Sequence, residues 1–179
     1  MPPVRLYGAR RCHKSRLYED ALTERGVDFV LRDVEEDEEA ARELRAIFGN
    51  DPDGHTKFPT FLINGKRVRN PRLRDLDRLL AHEGLYDPGV VHEPQARRFV
   101  RFMAPRDAFV SYSETEDRIT LGHIEVPTEK RGSGLGARLA LEVFPLVRDL
   151  GKTARITCPF LRKVAASDPE WTEYFNIKS

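Results

Sequence analysis

The chain has 179 residues, 40% hydrophobic and 33% charged, a globular composition that sets aside the fibrous, collagen-like and disordered classes. Lys and Arg number 30 against 29 Asp and Glu, and neither half has the basic balance of a nucleic-acid binder. No apolar run nears the roughly 18 residues of a membrane span, and Met1–Tyr7 has no signal-peptide apolar region, so a cytoplasmic protein with no membrane partner is expected.

The first half alternates strand and helix. Val4–Gly8 reads as a short apolar strand. His13–Arg25 has helical apolar spacing at Leu17, Tyr18, Ala21 and Leu22, and Gly26 stops it. Asp28–Val34 alternates as a strand. Glu36–Phe48 is amphipathic and ends at Gly49-Asn50. The acidic run Glu35–Glu39 suits a solvated helix start, where the dipole favours negative charge. Pro59–Ile63 is a strand, Asn64-Gly65 a hairpin turn, and Arg67–Val68 the return. Leu73–His82 is the last helix of a βαβαββα order with a parallel βαβ opening.

Glu83–Gln95 holds two prolines and two glycines and lacks periodicity, so it reads as a connector. The expected division is a domain over 1–83, a linker over 84–95 and a domain over 96–179. Arg97–Met103, Phe109–Thr115 and Arg118–Val126 then read as strands. A glycine-rich turn follows, then a helix from about Gly134 to Leu150, and a strand over Lys152–Thr157. Pro159–Ala166 and Pro169–Phe175 are short helices with proline in the first turn.

The sequence holds two cysteines. They cannot make a disulfide framework, and no Cys/His cluster has metal spacing, so no metal is expected. Cys12 stands where the first helix begins. Backbone N–H groups and the positive end of the dipole favour thiolate there, and Arg10, Arg11, His13 and Lys14 add positive charge. The pattern is C-x-x-S, so Ser15 supplies no resolving thiol. Pro59, after Lys57-Phe58, suits a cis X-Pro bond that fixes the preceding backbone to receive a bound thiol. Thiol exchange, a vestigial cysteine on a retained scaffold, and a buried structural cysteine are three readings of Cys12.

From Val4 to about His82 these features resemble the thioredoxin-fold glutaredoxins. Arg69-Asn70-Pro71 is most similar to the mycoredoxin branch. The resemblance implies Cys12 as nucleophile, Phe58 and Pro59 as thiol-substrate contacts, and a low-molecular-weight thiol such as mycothiol or glutathione as co-substrate. It departs after the nucleophile, where His13 and Lys14 stand in place of the family's usual proline and aromatic pair, and at Lys57, which replaces a customary threonine.

In the second half, Arg131-Gly132-Ser133-Gly134-Leu135-Gly136 follows a strand and opens a helix. Glycines there let backbone N–H groups approach phosphate oxygens. The spacing is G-x-G-x-G, not the dinucleotide fingerprint, and no Gly-Lys-Ser/Thr ends the turn, which excludes a Walker loop. The alternative is a flexible strand-to-helix turn. His123 and Glu125 share one strand face, and either is a candidate general base. The plainer reading is a half-buried His and a solvated Glu. Cys158 precedes Pro159 at a helix start and is either a reactive thiol or a small core residue. Trp171, Tyr174 and Phe175 are read as core.

Arg97–Phe175 resembles the compact YjdJ-type GNAT acetyltransferases through the R-x-x-G-x-G loop, the Gly122–Pro127 strand, Cys158-Pro159-Phe160 and Asp168-Pro169-Glu170. The resemblance implies acetyl-CoA as cofactor. Arg131, Gly132, Gly134 and Gly136 would bind its pyrophosphate, and the Val126 backbone its pantetheine arm. His123, Glu125 and Cys158 would be the candidates for catalysis on an amine or thiol acceptor. The fold class expected is α/β: a thioredoxin-like glutaredoxin domain followed by a compact GNAT-like domain. The functional expectation is an N-acetyltransferase fused to a monothiol glutaredoxin-like domain. The alternatives are a Cys12 oxidoreductase whose second domain binds CoA or a partner, and a non-catalytic binding protein.

Overall fold

Strand β1 (Val4–Gly8) buries Val4, Leu6 and Tyr7 completely. This computed structural model describes residues 3–49 and 58–177. Two compact units divide the chain, residues 1–87 and 88–179.

In the first unit, β1 leads into α1 (His13–Glu24), β2 (Phe29–Asp33), α2 (Glu38–Phe48), β3 (Thr60–Ile63), β4 (Lys66–Arg69) and α3 (Leu73–His82). The sheet order is β2-β1-β3-β4. β1 and β2 run parallel, and the other pairs run antiparallel. Asn64 and Gly65 both have positive φ, 46° and 82°, as a two-residue hairpin that follows the strand twist requires. The core joins Val4, Leu6, Phe61 and Ile63 of the sheet to Tyr18 and Leu22 of α1 and Leu76 and Leu80 of α3. Each such buried side chain contributes on the order of 1.5–3 kcal/mol. Helix α2 starts two residues later than the pattern predicts. The Asp37 side chain accepts from the N–H groups of Glu39 and Ala40 and fixes the start there. Asn50, read as part of the α2 stop, lies outside the described residues.

The second unit has β5 (Val90–Glu93), β6 (Arg98–Arg101), β7 (Ala108–Glu114), β8 (Arg118–Glu125), α4 (Leu135–Asp149), β9 (Thr153–Ile156), α5 (Pro159–Ala166) and α6 (Pro169–Tyr174). Strand β5 corrects the expected connector. Val90–Glu93 lies within 84–95 yet pairs antiparallel with β6, so the second fold starts before residue 96. A four-residue edge strand between Pro88-Gly89 and Pro94 is too short to show a period. The sheet order is β5-β6-β7-β8-β9, antiparallel except for the parallel β8–β9 pair. Its core packs Phe99, Val110, Ile119 and Leu121 against Leu139, Val143 and Phe144 of α4, with Trp171 and Phe175 at the C-terminal end.

Candidate functional site

In the first unit, β1 and β3 are antiparallel neighbours with Tyr7 opposite Thr60. The end of β1, which leads to Cys12, and the start of β3, which follows Pro59, therefore lie at one end of the sheet. Cys12 is the N-cap of α1, half-buried, and no side chain caps that helix. The Ser15 backbone N–H has the largest effect on its thiol and lowers its pKa; partial burial opposes this, and the Ser15 hydroxyl and Lys14 N–H add to the lowering. The net result is a thiol held below its ordinary value. Arg10, Arg11, His13, Lys14 and Arg16 around it are exposed.

Ser15 is fully buried, and its Oγ accepts from the Ala9 N–H at 3.2 Å. Asp33, at the end of β2, braces the same loop. It accepts from the N–H groups of Arg10 (3.0 Å), Glu35 (2.9 Å) and Glu36 (3.2 Å). Sequence reasoning did not single it out; an Asp ending a strand is the available signal. The Phe58–Pro59 peptide is cis, and the Pro59 carbonyl accepts from Asn70 N–H at 2.7 Å. Lys57 lies outside the described residues.

In the second unit, the residues read from the glycine turn come together. A groove of about 590 Å³ is lined by His123, Glu125, Val126, Arg131, Gly132, Gly134 and Gly136. Two features of β8 create it. Pairing with β9 ends at Leu121–Ile156, after which the strands part. The β7 register also shifts: Tyr112 faces Leu121 and Ser111 faces His123, which leaves Gly122 as an extra residue. Before this bulge Ile119 and Leu121 point into the core; after it Ile124 and Val126 do. His123 and Glu125 are thereby turned to the other face.

Gly132 and Gly134 have φ of 78° and 80°, left-handed values that exclude most side chains. Gly134 is the N-cap of α4 and offers no side chain to its first turn. The N–H groups of that turn open on the groove, at the positive end of a 15-residue helix. Gly136 is close-packed for another reason: a Cβ there would stand 3.1 Å from Phe160 Cζ, so the ring would have to give by a few tenths of an ångström. Phe160 is 45% exposed and lines the groove beside Lys130 and Leu135. Sequence reasoning gave Phe160 and Lys130 no site role.

His123 Nε2 lies 3.1 Å from Glu125 Oε2, and Arg131 Nη2 donates to Glu125 Oε1 at 3.4 Å. The His123 contact first, and Arg131 beyond it, hold the Glu125 carboxyl below its usual range. Cys158 does not line the groove. It is buried in the core cluster with Leu121 and Leu161, the setting of the small core residue that was one of its two readings. A thiol is small and weakly polar, so it packs as a hydrophobe.

Residues 4–68 match the family model described as glutaredoxin, and residues 98–174 match that of the GCN5-related N-acetyl-transferases. The chain joins a glutaredoxin-like domain to a GNAT-like domain. No curated protein matches the sequence. Among solved structures, a variant of the thioredoxin-like protein BC3987 is 22% identical, covering 45% of this chain and 96% of its own, at a TM-score of 0.39. The glutaredoxin grx-1 from Archaeoglobus fulgidus is also 22% identical, covering 45% of this chain and 87% of its own, at 0.37. The glutaredoxin-like domain thus carries Cys12 at its first helix, and the GNAT-like domain carries the groove at the start of α4.

Proposed function

We propose that the GNAT-like domain is an acetyl-CoA-dependent N-acetyltransferase, fused to a monothiol glutaredoxin-like domain. The observation that carries this reading is the uncapped start of α4 opening on the groove beside Arg131 and Lys130. Free N–H groups, a helix dipole and two cations suit a pyrophosphate. The parting of β8 from β9 leaves room for an extended arm along Glu125 and Val126. An amine nitrogen would attack the thioester carbonyl, forming the C–N bond as the C–S bond breaks. The amine proton would pass to Glu125 or His123, and CoA would leave as a thiolate that takes the same proton back from that base. The acceptor is a small-molecule or protein amine.

The test is release of CoA thiol from acetyl-CoA across a panel of amines, followed with a thiol-reactive dye. A Cys12→Ser background keeps the protein's own half-buried, reactive-thiol candidate silent. Amine-dependent release that is lost in Arg131→Ala supports the reading. Release with no amine, or none at all, contradicts it.

A second reading is favoured by the half-buried Cys12 with its lowered thiol pKa. The Cys12 thiolate would attack a mixed disulfide, forming a Cys12 adduct and expelling the other partner as thiolate. A second low-molecular-weight thiol, of the mycothiol or glutathione class, would then resolve the adduct and carry away the disulfide. The GNAT-like domain would serve as a CoA or partner-binding module. Reduction of a small mixed disulfide by wild type but not Cys12→Ser would support this reading; equal rates would remove it.

A further inference from the structure

The two groove cations stand differently. Lys130 makes no ion pair among the described residues. Arg131 is paired with Glu125, which also lines the groove, with Nη2 to Oε1 at 3.4 Å. The other oxygen of Glu125 is held by His123 at 3.1 Å. The Arg131 and Glu125 side chains are 63% and 42% exposed, so their pair is screened and weak. A pyrophosphate offers more charge than one carboxylate and meets the guanidinium fork with two oxygens.

We propose that Arg131 is shared between Glu125 and the coenzyme pyrophosphate, so that coenzyme binding breaks the Glu125–Arg131 pair and uncovers the Glu125 carboxylate. This inference rests on reading the groove as a coenzyme site. In the empty groove Glu125 is the anion that Arg131 holds. In the filled groove Arg131 turns to the phosphates, and Glu125 keeps only His123. The freed Oε1 is then a partner for the positively charged group of an amine acceptor. Glu125 therefore competes with the coenzyme before it can serve the acceptor, and its charge weakens coenzyme binding.

The test is a calorimetric titration of coenzyme A into the full chain. The variants are Glu125→Gln, Arg131→Ala, the two combined, and Lys130→Ala with and without Glu125→Gln. Glu125→Gln is expected to tighten binding roughly two- to fivefold, the range for losing an exposed ion pair. Glu125→Ala, as a second variant, should shift the affinity in the same direction. In the Arg131→Ala background the gain should vanish. In the Lys130→Ala background it should persist, because Lys130 is not shared. Unchanged or weaker binding in both Glu125 variants, with normal binding by wild type, overturns the inference. So does a gain that survives without Arg131, because it would reflect charge alone. No binding by wild type overturns the coenzyme reading itself, and this inference with it.

Discussion

Gly8 and Ser15 are fitted to each other: a Cβ at position 8 would overlap the Ser15 Oγ and stand 2.9 Å from the Ser15 Cβ. The serine of the C-x-x-S pattern is therefore a packing residue beneath the Cys12 loop, tied to the Ala9 N–H. Gly8→Ala is expected to cost about 1–3 kcal/mol, as overpacking of a closed site does. Chemical denaturation of the full chain, followed through the transition of the first unit, measures it. An unchanged transition would mean that α1 can move away at no cost.

The Cys12 thiol is predicted to ionise below the ordinary cysteine range. Its alkylation by iodoacetamide should therefore reach its plateau at a lower pH than a cysteine in an unfolded peptide. The buried Cys158 should alkylate only on unfolding. Mass spectrometry of the two modified peptides across pH separates them. A Cys12 midpoint at or above the peptide value would remove the thiolate argument.

Asp33 carries a pH-dependent share of stability. Burial pushes its carboxyl up, but the Arg10, Glu35 and Glu36 N–H groups outweigh that, and the net pKa is lowered. A folded pKa below the unfolded one gives stability that is present above the unfolded value. It is lost as pH falls through the folded one. Asp33→Asn should thus lower stability near neutral pH and flatten the acid limb. Denaturation midpoints of both proteins from pH 7 down to below the carboxylate range check the sign. A parallel pair of curves would contradict it.

Much of the fold is written in local signals. Gly26 stops its helix at the residue predicted, and Asn64-Gly65 makes its turn with both φ angles positive. The groove was legible as a list, because the glycines, Arg131 and the His123–Glu125 strand lie close in sequence. Its cause was not. Strict alternation from Ile119 and Leu121 would turn His123 and Glu125 inward; the extra Gly122 reverses them, and a glycine inside a strand hints at a bulge without fixing the partner strand's register. Phe160 was hidden because its contact with Gly136 joins distant segments. Cys158 shared its local setting, the start of a helix, with Cys12; only the tertiary structure separates an open loop from a core.

Gly136 and Phe160 should be energetically coupled. Gly136→Ala pushes a methyl group against the Phe160 ring, 3.1 Å from Cζ, at the wall of the groove. It is expected to weaken coenzyme A binding about tenfold, in line with small-to-large changes costing about 1–3 kcal/mol. Adding Phe160→Ala should restore part of the loss by making room. A double-mutant cycle of coenzyme affinities measures the coupling, and simple additivity would contradict it.

The central claim is that the start of α4 in the GNAT-like domain takes a coenzyme pyrophosphate. Calorimetric titration of acetyl-CoA into the wild type and into Gly134→Trp tests it most directly, with circular dichroism confirming that the variant is folded. The account predicts micromolar binding by the wild type that is lost in the variant. No binding by the wild type, or equal binding by a folded Gly134→Trp, would contradict it.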